Sequence, residues 1–244
     1  EYDNLSRLTS VTQHKGSDEL TTAYTYDVAS GGNVKNITTN PKGLQSITTF
    51  DALGRTISQK DTGTEGGVTK SVETKYKYDN NGNMTQLEKQ DGTKNWFEYD
   101  ADNNLIKAVY QKNSSNNPVH YTTYTYDNVG NRLTMKDYKN NDTDPVSQTD
   151  YAYDMMNRVT QYVQDGEVVS YSYDDLNNIK QIKYRNTTAL TDTITDLAVL
   201  NYNYNENNRL EEITVKYLDA NNEEISEKLA ASYAYDTYGR LASQ

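Results

Sequence analysis

The sequence predicts an all-β protein: a long antiparallel meander of β-hairpins that curls into a spiral sheet and forms part of a hollow shell or solenoid. Three observations lead to this prediction. An aromatic–acid pair recurs along the 244 residues, a turn-forming residue follows most of the pairs at a fixed distance, and aromatic residues alternate along the segments before the pairs. A recurring motif indicates one structural unit copied many times, and alternation with period 2 indicates strands.

The aromatic–acid pair defines the repeat. Tyr-Asp occurs eight times, and the variants Phe50-Asp51 and Tyr204-Asn205 extend the series to ten. We therefore predict a single array of about ten motifs over residues 1–244, which is a segment of a much larger chain. The structural motif residues are Tyr2, Asp3, Tyr26, Asp27, Phe50, Asp51, Gly54, Tyr78, Asp79, Gly82, Tyr99, Asp100, Tyr126, Asp127, Gly130, Tyr153, Asp154, Tyr173, Asp174, Tyr204, Tyr235, Asp236 and Gly239.

The residues after each acid predict a chain reversal. Asp at the first position of a type I turn accepts hydrogen bonds from backbone N–H groups inside the turn, and the fourth position then takes a left-handed conformation that Gly and Asn tolerate. Such a turn closes a β-hairpin. The fourth residues are Ser6, Gly54, Gly82, Asn103, Gly130, Asn157, Asn177, Asn208 and Gly239.

The strands on either side of the turn have different patterns. Before it, two aromatic residues lie two positions apart, as in Tyr171 and Tyr173, so both rings lie on one face of a strand. After it, apolar residues recur three apart, as in Ile179 and Ile182, which a regular strand would place on opposite faces. We predict a β-bulge directly after the turn, which restores one common face.

The connections from one repeat to the next differ in length. Tight hairpins are predicted at Asp91-Gly92 and Asp165-Gly166. Long connections are predicted at Gly63–Gly67, Asn113–Pro118, Asn140–Pro145 and Arg185–Asp196. Insertions are thus expected at one rim of the sheet and the Tyr-Asp turns at the other.

Composition excludes several classes of protein. The chain has no cysteine, which excludes disulfide frameworks and zinc ribbons, and its net charge of −11 argues against a nucleic-acid partner. No apolar run is long enough to span a membrane. Twenty-three tyrosines against two phenylalanines and one tryptophan predict an interior lined by tyrosine that stays partly wet.

No set of residues predicts catalysis, a cofactor or a metal. The motif carboxylates are equivalent to one another, and the segments at Asp79 and Asp100 begin like calcium loops but lack the required Gly and Glu. His14 and His120 are interpreted as surface residues. An arginine recurs at one offset after the turn and is expected to bridge to the aspartate or carbonyl groups of a neighbouring repeat, as Arg7, Arg55, Arg158, Arg209 and Arg240.

The motif residues also resemble a known family. Tyr235-Asp236-Thr237-Tyr238-Gly239-Arg240-Leu241 and its variant at residues 2–8 resemble the YD repeat of Rhs proteins, insecticidal toxin-complex shells, bacterial wall-associated proteins and teneurins. The resemblance implies a strand spiral that closes into a hollow shell, outside the cell. In the bacterial members such a shell encloses a C-terminal toxin, and in teneurins it is a rigid body that serves adhesion.

Two functions follow as expectations. The first is a non-catalytic shell or scaffold segment of a secreted or cell-surface protein, which encapsulates or presents a toxin or other passenger and has the remaining repeats and the C-terminal passenger as partners. The alternative is a carbohydrate-binding or adhesion module that uses exposed tyrosine and asparagine to bind a cell-surface glycan. The direction in which the tyrosines point distinguishes the two.

Overall fold

The fold is all-β, as predicted. The computed structural model describes residues 1–28, 32–112, 115–140, 142–187, 194–219 and 223–243, and strands and turns are the secondary structure of these residues. The extended turn after Asp27, part of the Asn113–Pro118 connection and the middle of the Arg185–Asp196 connection lie outside the described residues.

The chain divides into two compact units. The first is Glu1–Tyr121 and the second is Thr122–Gln244. The strands of the first unit are β1 (Ser10–Lys15), β2 (Asp18–Val28), β3 (Val34–Thr39), β4 (Gln45–Phe50), β5 (Thr56–Glu65), β6 (Val68–Tyr78), β7 (Met84–Glu88), β8 (Lys94–Tyr99) and β9 (Leu105–Lys112), and β10 (Pro118–Tyr126) leads into the second unit.

The second unit continues the same alternation of strands and turns. Its strands are β11 (Arg132–Tyr138), β12 (Ser147–Tyr153), β13 (Val159–Gln164), β14 (Glu167–Tyr173), β15 (Ile179–Thr187), β16 (Ile194–Tyr204), β17 (Leu210–Leu218), β18 (Glu224–Ser232), β19 (Ala234–Tyr235) and β20 (Leu241–Ser243). Within each unit consecutive strands pair antiparallel, from β1 to β9 and from β11 to β18, and β19 pairs with β20. The predicted meander of hairpins is therefore present in both units.

The predicted bulge follows the Tyr-Asp turns. Tyr173 lies opposite Ile179 and Tyr171 lies opposite Ile182, and the register shifts between Ser172 and Tyr173. One extra residue on the outgoing strand therefore brings apolar side chains three apart to the same face. The same shift occurs before Phe50, Tyr78, Tyr99, Tyr153, Tyr204 and Tyr235.

Tyrosines gather on one face of the second unit. Cross-strand pairing aligns Tyr151 with Tyr162, Tyr162 with Val169, and Val169 with Tyr184. The ring centroids of Tyr162 and Tyr171 are 6.4 Å apart, which is a tilted packing geometry. Few of the described residues are buried; they are Ala108, Val109, Val169, Val199, Thr122 and Thr149.

The opposite face is polar. The Gln181 amide donates to the Asn201 side-chain oxygen at 2.8 Å, and the Asn201 amide donates to the Thr214 hydroxyl at 3.4 Å. These bonds join β15, β16 and β17 side by side. A sheet with one apolar and one hydrogen-bonded polar face has a fixed register, because a slip by one residue would exchange the two faces.

The connections require two corrections. Both ends of the predicted long connection Arg185–Asp196 belong to strands, because the β15–β16 pairing continues through Asn186 opposite Asp196 to Thr187 opposite Ile194. Gly63 lies inside β5, and the β5–β6 pairing continues to Glu65 opposite Val68, so only Gly66 and Gly67 form the turn. The predicted long loop at Gly63–Gly67 is therefore wrong, because the strands tolerate Gly63 and the two left-handed glycines close a two-residue hairpin. The tight hairpin at Asp165-Gly166 is confirmed, since Gln164 pairs with Glu167.

Candidate functional site

The Tyr-Asp turn is the recurring polar site of the molecule, and the turn at Asp154 shows its geometry. One carboxylate oxygen, Oδ1, accepts the backbone N–H groups of Met156 at 2.9 Å and Arg158 at 3.0 Å. The other, Oδ2, accepts the Arg158 Nε at 2.7 Å. The Asn157 N–H donates to the Asp154 carbonyl, and Asn157 has a φ of 61°. Both carboxylate oxygens are thus used by the residue's own turn.

The other repeats share this geometry. In each, the acidic or amide side chain accepts the N–H groups two and four residues later, and the fourth residue has a positive φ, as predicted. The equivalent residues are Asp3, Asp51, Asp79, Asp100, Asp127, Asp174, Asn205 and Asp236.

Asp27 is the exception among the motif acids. It lies inside β2, is exposed, and pairs with Lys35 in the β2–β3 ladder, which continues to Val28 opposite Val34. The prediction that Asp27 begins a turn is therefore wrong. In sequence, this copy has two residues more than the others between the acid and the first residue of the next strand, Val34, which leaves room for the β2–β3 pairing to continue past the Tyr26-Asp27 pair.

The turn hydrogen bonds lower the pKa of the carboxyl groups. The Arg158 side chain, followed by the backbone N–H groups of the turn, lowers the pKa of Asp154 below its ordinary value of 3.8. The Asn178 side chain has the same effect on the pKa of Asp174. Hydrogen bonds to the charged form outweigh the opposing effect of burial in both cases. These carboxylates stay ionised and bonded, so they act as turn-forming groups rather than as proton donors.

The motif tyrosines link each repeat to the one before it. The Tyr173 hydroxyl donates to the Val159 carbonyl oxygen at 2.8 Å, and Val159 is the first strand residue after the preceding Tyr-Asp turn. In seven repeats the tyrosine hydroxyl bonds the carbonyl of the residue five positions after the acid or amide of the preceding turn. The donors are Tyr26, Tyr78, Tyr99, Tyr153, Tyr173, Tyr204 and Tyr235. The motif tyrosines therefore point into the sheet and against a neighbouring repeat.

Strand pairing explains why a hydroxyl is needed there. The β13–β14 pairing ends at Gln161 opposite Ser170, two residues short of Val159. The Val159 carbonyl consequently lies beyond the end of this ladder, where a part-buried acceptor without a partner would be costly. The Tyr173 hydroxyl supplies that partner. The pairings of β15 with β16 and of β17 with β18 end in the same way, at Gln181 and Glu212.

A second row of side-chain bonds also joins neighbouring turns. The residue four after the Asp donates to its own Asp and to the side-chain oxygen of the left-handed Asn in the next repeat. The pairs are Asn83 to Asn103, Asn131 to Asn157, Arg158 to Asn177, and Asn178 to Asn208. We call this row the turn ladder. The sequence analysis treated Gly and Asn as equivalent at the left-handed position and did not predict this row. The signal for it is an Asn or Arg four residues after one Asp, followed in the next repeat by Asn at the left-handed position.

The arginines bond the aspartate of their own turn, so the expected bridge to a neighbouring repeat's aspartate is wrong, whereas the expected bridge to a neighbouring repeat's carbonyl is confirmed for Arg55. Arg7, Arg55, Arg158 and Arg240 each bond the aspartate of their own turn at 2.7 Å. The neighbour is reached through other contacts. Arg55 Nη1 donates to the Asp79 carbonyl at 2.9 Å, and the guanidinium carbons of Arg7 and Arg158 lie over the rings of Tyr26 and Tyr173, at 4.4 and 4.3 Å from the ring centroids.

Arg209 differs because its turn begins with Asn205. That residue accepts the backbone N–H of Arg209 but offers no carboxylate to its guanidinium. The guanidinium instead lies 5.5 Å from the centroid of Tyr235, and a Cβ atom at Gly239 would come within 2.0 Å of it. Glycine is favoured at position 239 by its φ of 80°, and a larger side chain there would also displace the Arg209 guanidinium.

The remaining candidates for chemistry stand apart from one another. His14 is exposed and lies 3.6 Å from Glu19 on the neighbouring strand, whereas the His120 ring is 5.4 Å from that of Tyr110. Within the described ranges, no group of three or more His, Asp or Glu side chains is placed to hold a metal ion. That part of the chain also contains no helix long and apolar enough to cross a membrane.

Repeated turns joined by tyrosine hydroxyls and a turn ladder define the class of protein, an array of hairpin repeats on an antiparallel meander. Comparison with known families identifies the repeat more closely: residues 40–125 match the teneurin YD-shell family. The resemblance to the YD-repeat family is thereby confirmed. No curated protein sequence matches the chain.

Several solved structures are similar to the chain at low identity. The Photorhabdus luminescens Tc holotoxin pore carrying the TccC3-D651A mutation is 13% identical with a TM-score of 0.40, and the match covers 95% of this chain and 17% of that one. A porin-like protein from Bacteroides uniformis is 9% identical with a TM-score of 0.35, over 84% and 92% of the two chains. The TcdB2-TccC3-Cdc42 complex is 12% identical with a TM-score of 0.24, over 99% and 19%. The chain thus spans about a sixth of the length of the first of these.

Proposed function

We propose that this segment is a non-catalytic wall of a shell, carried by a secreted or cell-surface protein that encloses or presents a toxin or other passenger. The observation behind the proposal is the use of the motif side chains. In seven repeats the tyrosine hydroxyl bonds a carbonyl of the preceding repeat, and in eight the aspartate carboxylate bonds its own turn. Groups engaged in this way build a continuous wall and leave little for chemistry.

The repeat architecture supports the same role. Each repeat contributes one incoming and one outgoing strand and contacts chiefly its neighbours, so the wall extends by adding repeats rather than by rebuilding a core. The match of residues 40–125 to the teneurin YD-shell family supports a role as part of a shell. The further repeats and the C-terminal passenger of the parent protein are the partners this role requires.

The adhesion alternative needs exposed tyrosine and asparagine side chains. It is not favoured at seven of the motif tyrosines, because their hydroxyls are donated to carbonyl groups of the preceding repeat, whereas the motif residue Tyr2 is 72% exposed. A glycan that bound at these seven tyrosines would have to displace the bonds between repeats.

Limited proteolysis of the full parent protein tests the shell proposal. We expect its passenger to resist trypsin under native conditions and to be cleaved once urea unfolds the repeats. The double variant Tyr173→Phe/Tyr204→Phe weakens the wall at two bonds and should expose the passenger at a lower urea concentration. Tyr238→Phe is the matched control, because Tyr238 is 83% exposed. A passenger that is cleaved natively as fast as in the unfolded protein would overturn the proposal.

A further inference from the structure

Exposed apolar side chains occupy the same place in three consecutive Tyr-Asp turns of the second unit. Each lies two positions after the aspartate that begins its turn: Val129 is 70% exposed, Met156 is 62% exposed and Leu176 is 65% exposed. Met155, next to Met156, is fully exposed. Neither the tyrosine hydroxyl bonds nor the turn ladder uses these four side chains. We call them the apolar ridge.

The turn ladder holds the members of the ridge side by side. The Asn131 amide donates to the Asn157 side-chain oxygen at 2.9 Å, and Arg158 donates to that of Asn177 at 2.7 Å. Two strand spacings of about 4.8 Å separate one turn from the next, so ridge residues of neighbouring turns lie roughly 10 Å apart. Because each turn is already fixed by its own hydrogen bonds, little entropy of this chain would be lost when a partner binds.

The turns themselves do not require apolar residues at this position. Other turns with the same hydrogen bonds carry Asn81, Asp102 or Asn207 two positions after their acid or amide. Turn positions also favour polar residues in general. Single exposed apolar side chains are common on proteins, whereas contiguous ones mark surfaces that contact a partner. The ridge is contiguous, since its turns are neighbours in the ladder.

The surroundings of the ridge are acidic. Residues 122–244 contain 11 Lys and Arg against 20 Asp and Glu, which gives this unit a net charge of −9. Asp175 is exposed directly beside Leu176, and Glu206 is exposed at the equivalent place in the next turn. A partner that fits this surface combines apolar residues with Lys or Arg, because complementary charge favours its approach. An anionic membrane surface would be repelled.

We infer that the apolar ridge docks a basic amphipathic α-helix of a partner protein, which lies across the turns. Seven residues of an α-helix span about 10.5 Å, so apolar residues seven apart on one helix face meet neighbouring turns. Over the same distance an extended strand has three residues, which places the contacting side chains on opposite faces.

The methionines of the ridge suit a helical partner. Met155 and Met156 have unbranched side chains that adapt to the shape of an apolar face, as methionines do at surfaces that bind varied partners. A helix also offers the broad apolar stripe that two adjacent side chains need. The inference is independent of the shell role, because a turn surface can bind a partner whether or not the wall encloses a passenger.

Fluorescence anisotropy of labelled peptides tests the inference with three probes. The first is a helix of about 21 residues with Leu at the first and fourth positions of every seven and Lys elsewhere. The second has the same composition in scrambled order, and the third replaces Lys by Glu. We expect saturable binding of the first and roughly tenfold weaker binding of the others, because one lacks a common apolar face and the other is repelled.

Two variants test whether the ridge is the binding surface. Met156→Ser/Leu176→Ser should weaken the basic helix roughly tenfold or more, because two side chains no longer bury apolar surface. Leu53→Ser is the matched control. Leu53 has the same turn position and is 75% exposed, but the next turn carries Asn81 there. The control should bind as the unmodified protein does, and the circular dichroism of both variants should be unchanged.

Oxidation by hydrogen peroxide locates the bound helix. Peroxide transfers one oxygen atom to an exposed methionine sulfur, which gives the sulfoxide and water. A saturating amount of the basic helix, which contains no methionine, should slow the oxidation of Met155 and Met156. The half-buried Met84 and Met135 should oxidise at unchanged rates. Mass spectrometry of proteolytic peptides measures the four rates in one sample.

Several results would overturn the inference. These are binding of the scrambled peptide as tight as that of the helix, full binding by the Met156→Ser/Leu176→Ser variant, or unchanged methionine oxidation. Dimers of the protein alone that this variant abolishes would assign the ridge to a second copy instead, and binding to phosphatidylcholine vesicles that it abolishes would assign the ridge to lipid. None of these results bears on protection of the passenger from trypsin, so failure here leaves the shell proposal intact.

Discussion

The Tyr204 hydroxyl donates a hydrogen bond to the Ile179 carbonyl oxygen 3.0 Å away, across 25 residues of sequence. Ile179 lies directly after the Tyr-Asp turn of the preceding repeat, beyond the point at which the β15–β16 pairing ends. The bond therefore completes the sheet where main-chain pairing stops, and it explains why this position favours tyrosine over phenylalanine.

Replacing the hydroxyl should destabilise the protein by a modest amount. Tyr204→Phe removes the donor and leaves the part-buried Ile179 carbonyl without it, which costs about 1 kcal/mol of unfolding free energy. Urea denaturation measures this as a lower midpoint with an unchanged slope. The control Tyr238→Phe alters an 83% exposed ring and should leave the midpoint where it is. Equal effects of the two variants would contradict the role of the hydroxyl.

The turn ladder should appear as energetic coupling between neighbouring turns. Arg158 Nη1 donates to the Asn177 side-chain oxygen at 2.7 Å, so a double-mutant cycle of Arg158→Ala with Asn177→Gly should give a coupling of about 0.5 kcal/mol. Glycine is the appropriate replacement because Asn177 has a φ of 68°. The cycle of Arg158→Ala with Asn208→Gly is the control, since Asn208 accepts from Asn178 instead. Coupling of similar size in both cycles would rule out a ladder of nearest neighbours.

Asn205→Asp should stabilise its turn. The substitution offers Arg209 the carboxylate that the other arginine-containing turns provide, as Asp154 does for Arg158 at 2.7 Å. We expect a higher urea midpoint at low ionic strength and a smaller gain at high salt, because the new ion pair is near the surface. An unchanged urea midpoint at low salt would show that the Arg209 guanidinium stays beside Tyr235 and Gly239 and does not bind the new carboxylate.

Acid should destabilise the protein through the turn carboxylates. Because the folded pKa values of Asp154 and Asp174 are lowered, these groups add stability above the unfolded value of 3.8, and that stability is lost as the pH falls below it. The urea midpoint, followed between about pH 2 and 6, should therefore fall at the acid end. The triple variant Asp127→Asn/Asp154→Asn/Asp174→Asn, which copies the natural Asn205 turn, should show a shallower fall. If the urea midpoint of the triple variant falls as steeply with pH, other ionisable groups cause the acid sensitivity.

Alkali should also destabilise the protein, in this case through the motif tyrosines, whose pKa values are raised rather than lowered. Burial raises the pKa of Tyr153 and Tyr204 above the ordinary 10.0, so the stability they add is present below pH 10.0 and is lost as the pH rises above it. Phenolate absorbance and circular dichroism, followed together, should show that a group of tyrosines ionises only as the strands unfold. Ionisation of every tyrosine before any strand signal is lost would contradict this expectation.

Much of the local structure follows from the sequence because its causes are local. The left-handed residues, the aspartate that closes each turn, and the bulge that aligns Ile179 with Ile182 depend on residues within a few positions of one another. Asp27 shows the limit of this reasoning. Its pair with Tyr26 matches the motif, yet Asp27 lies in a strand opposite Lys35.

By itself, then, the sequence determined the class of fold and the place of most chain reversals, since steric limits on φ and period-2 burial act over short distances. Only the tertiary structure decided which distant groups meet. The Tyr204–Ile179 bond, the Arg158–Asn177 bond and the Lys112–Trp96 contact all join residues on different strands. Their partners depend on where each strand pairing ends, and that in turn depends on the register of neighbouring strands rather than on the residue types alone.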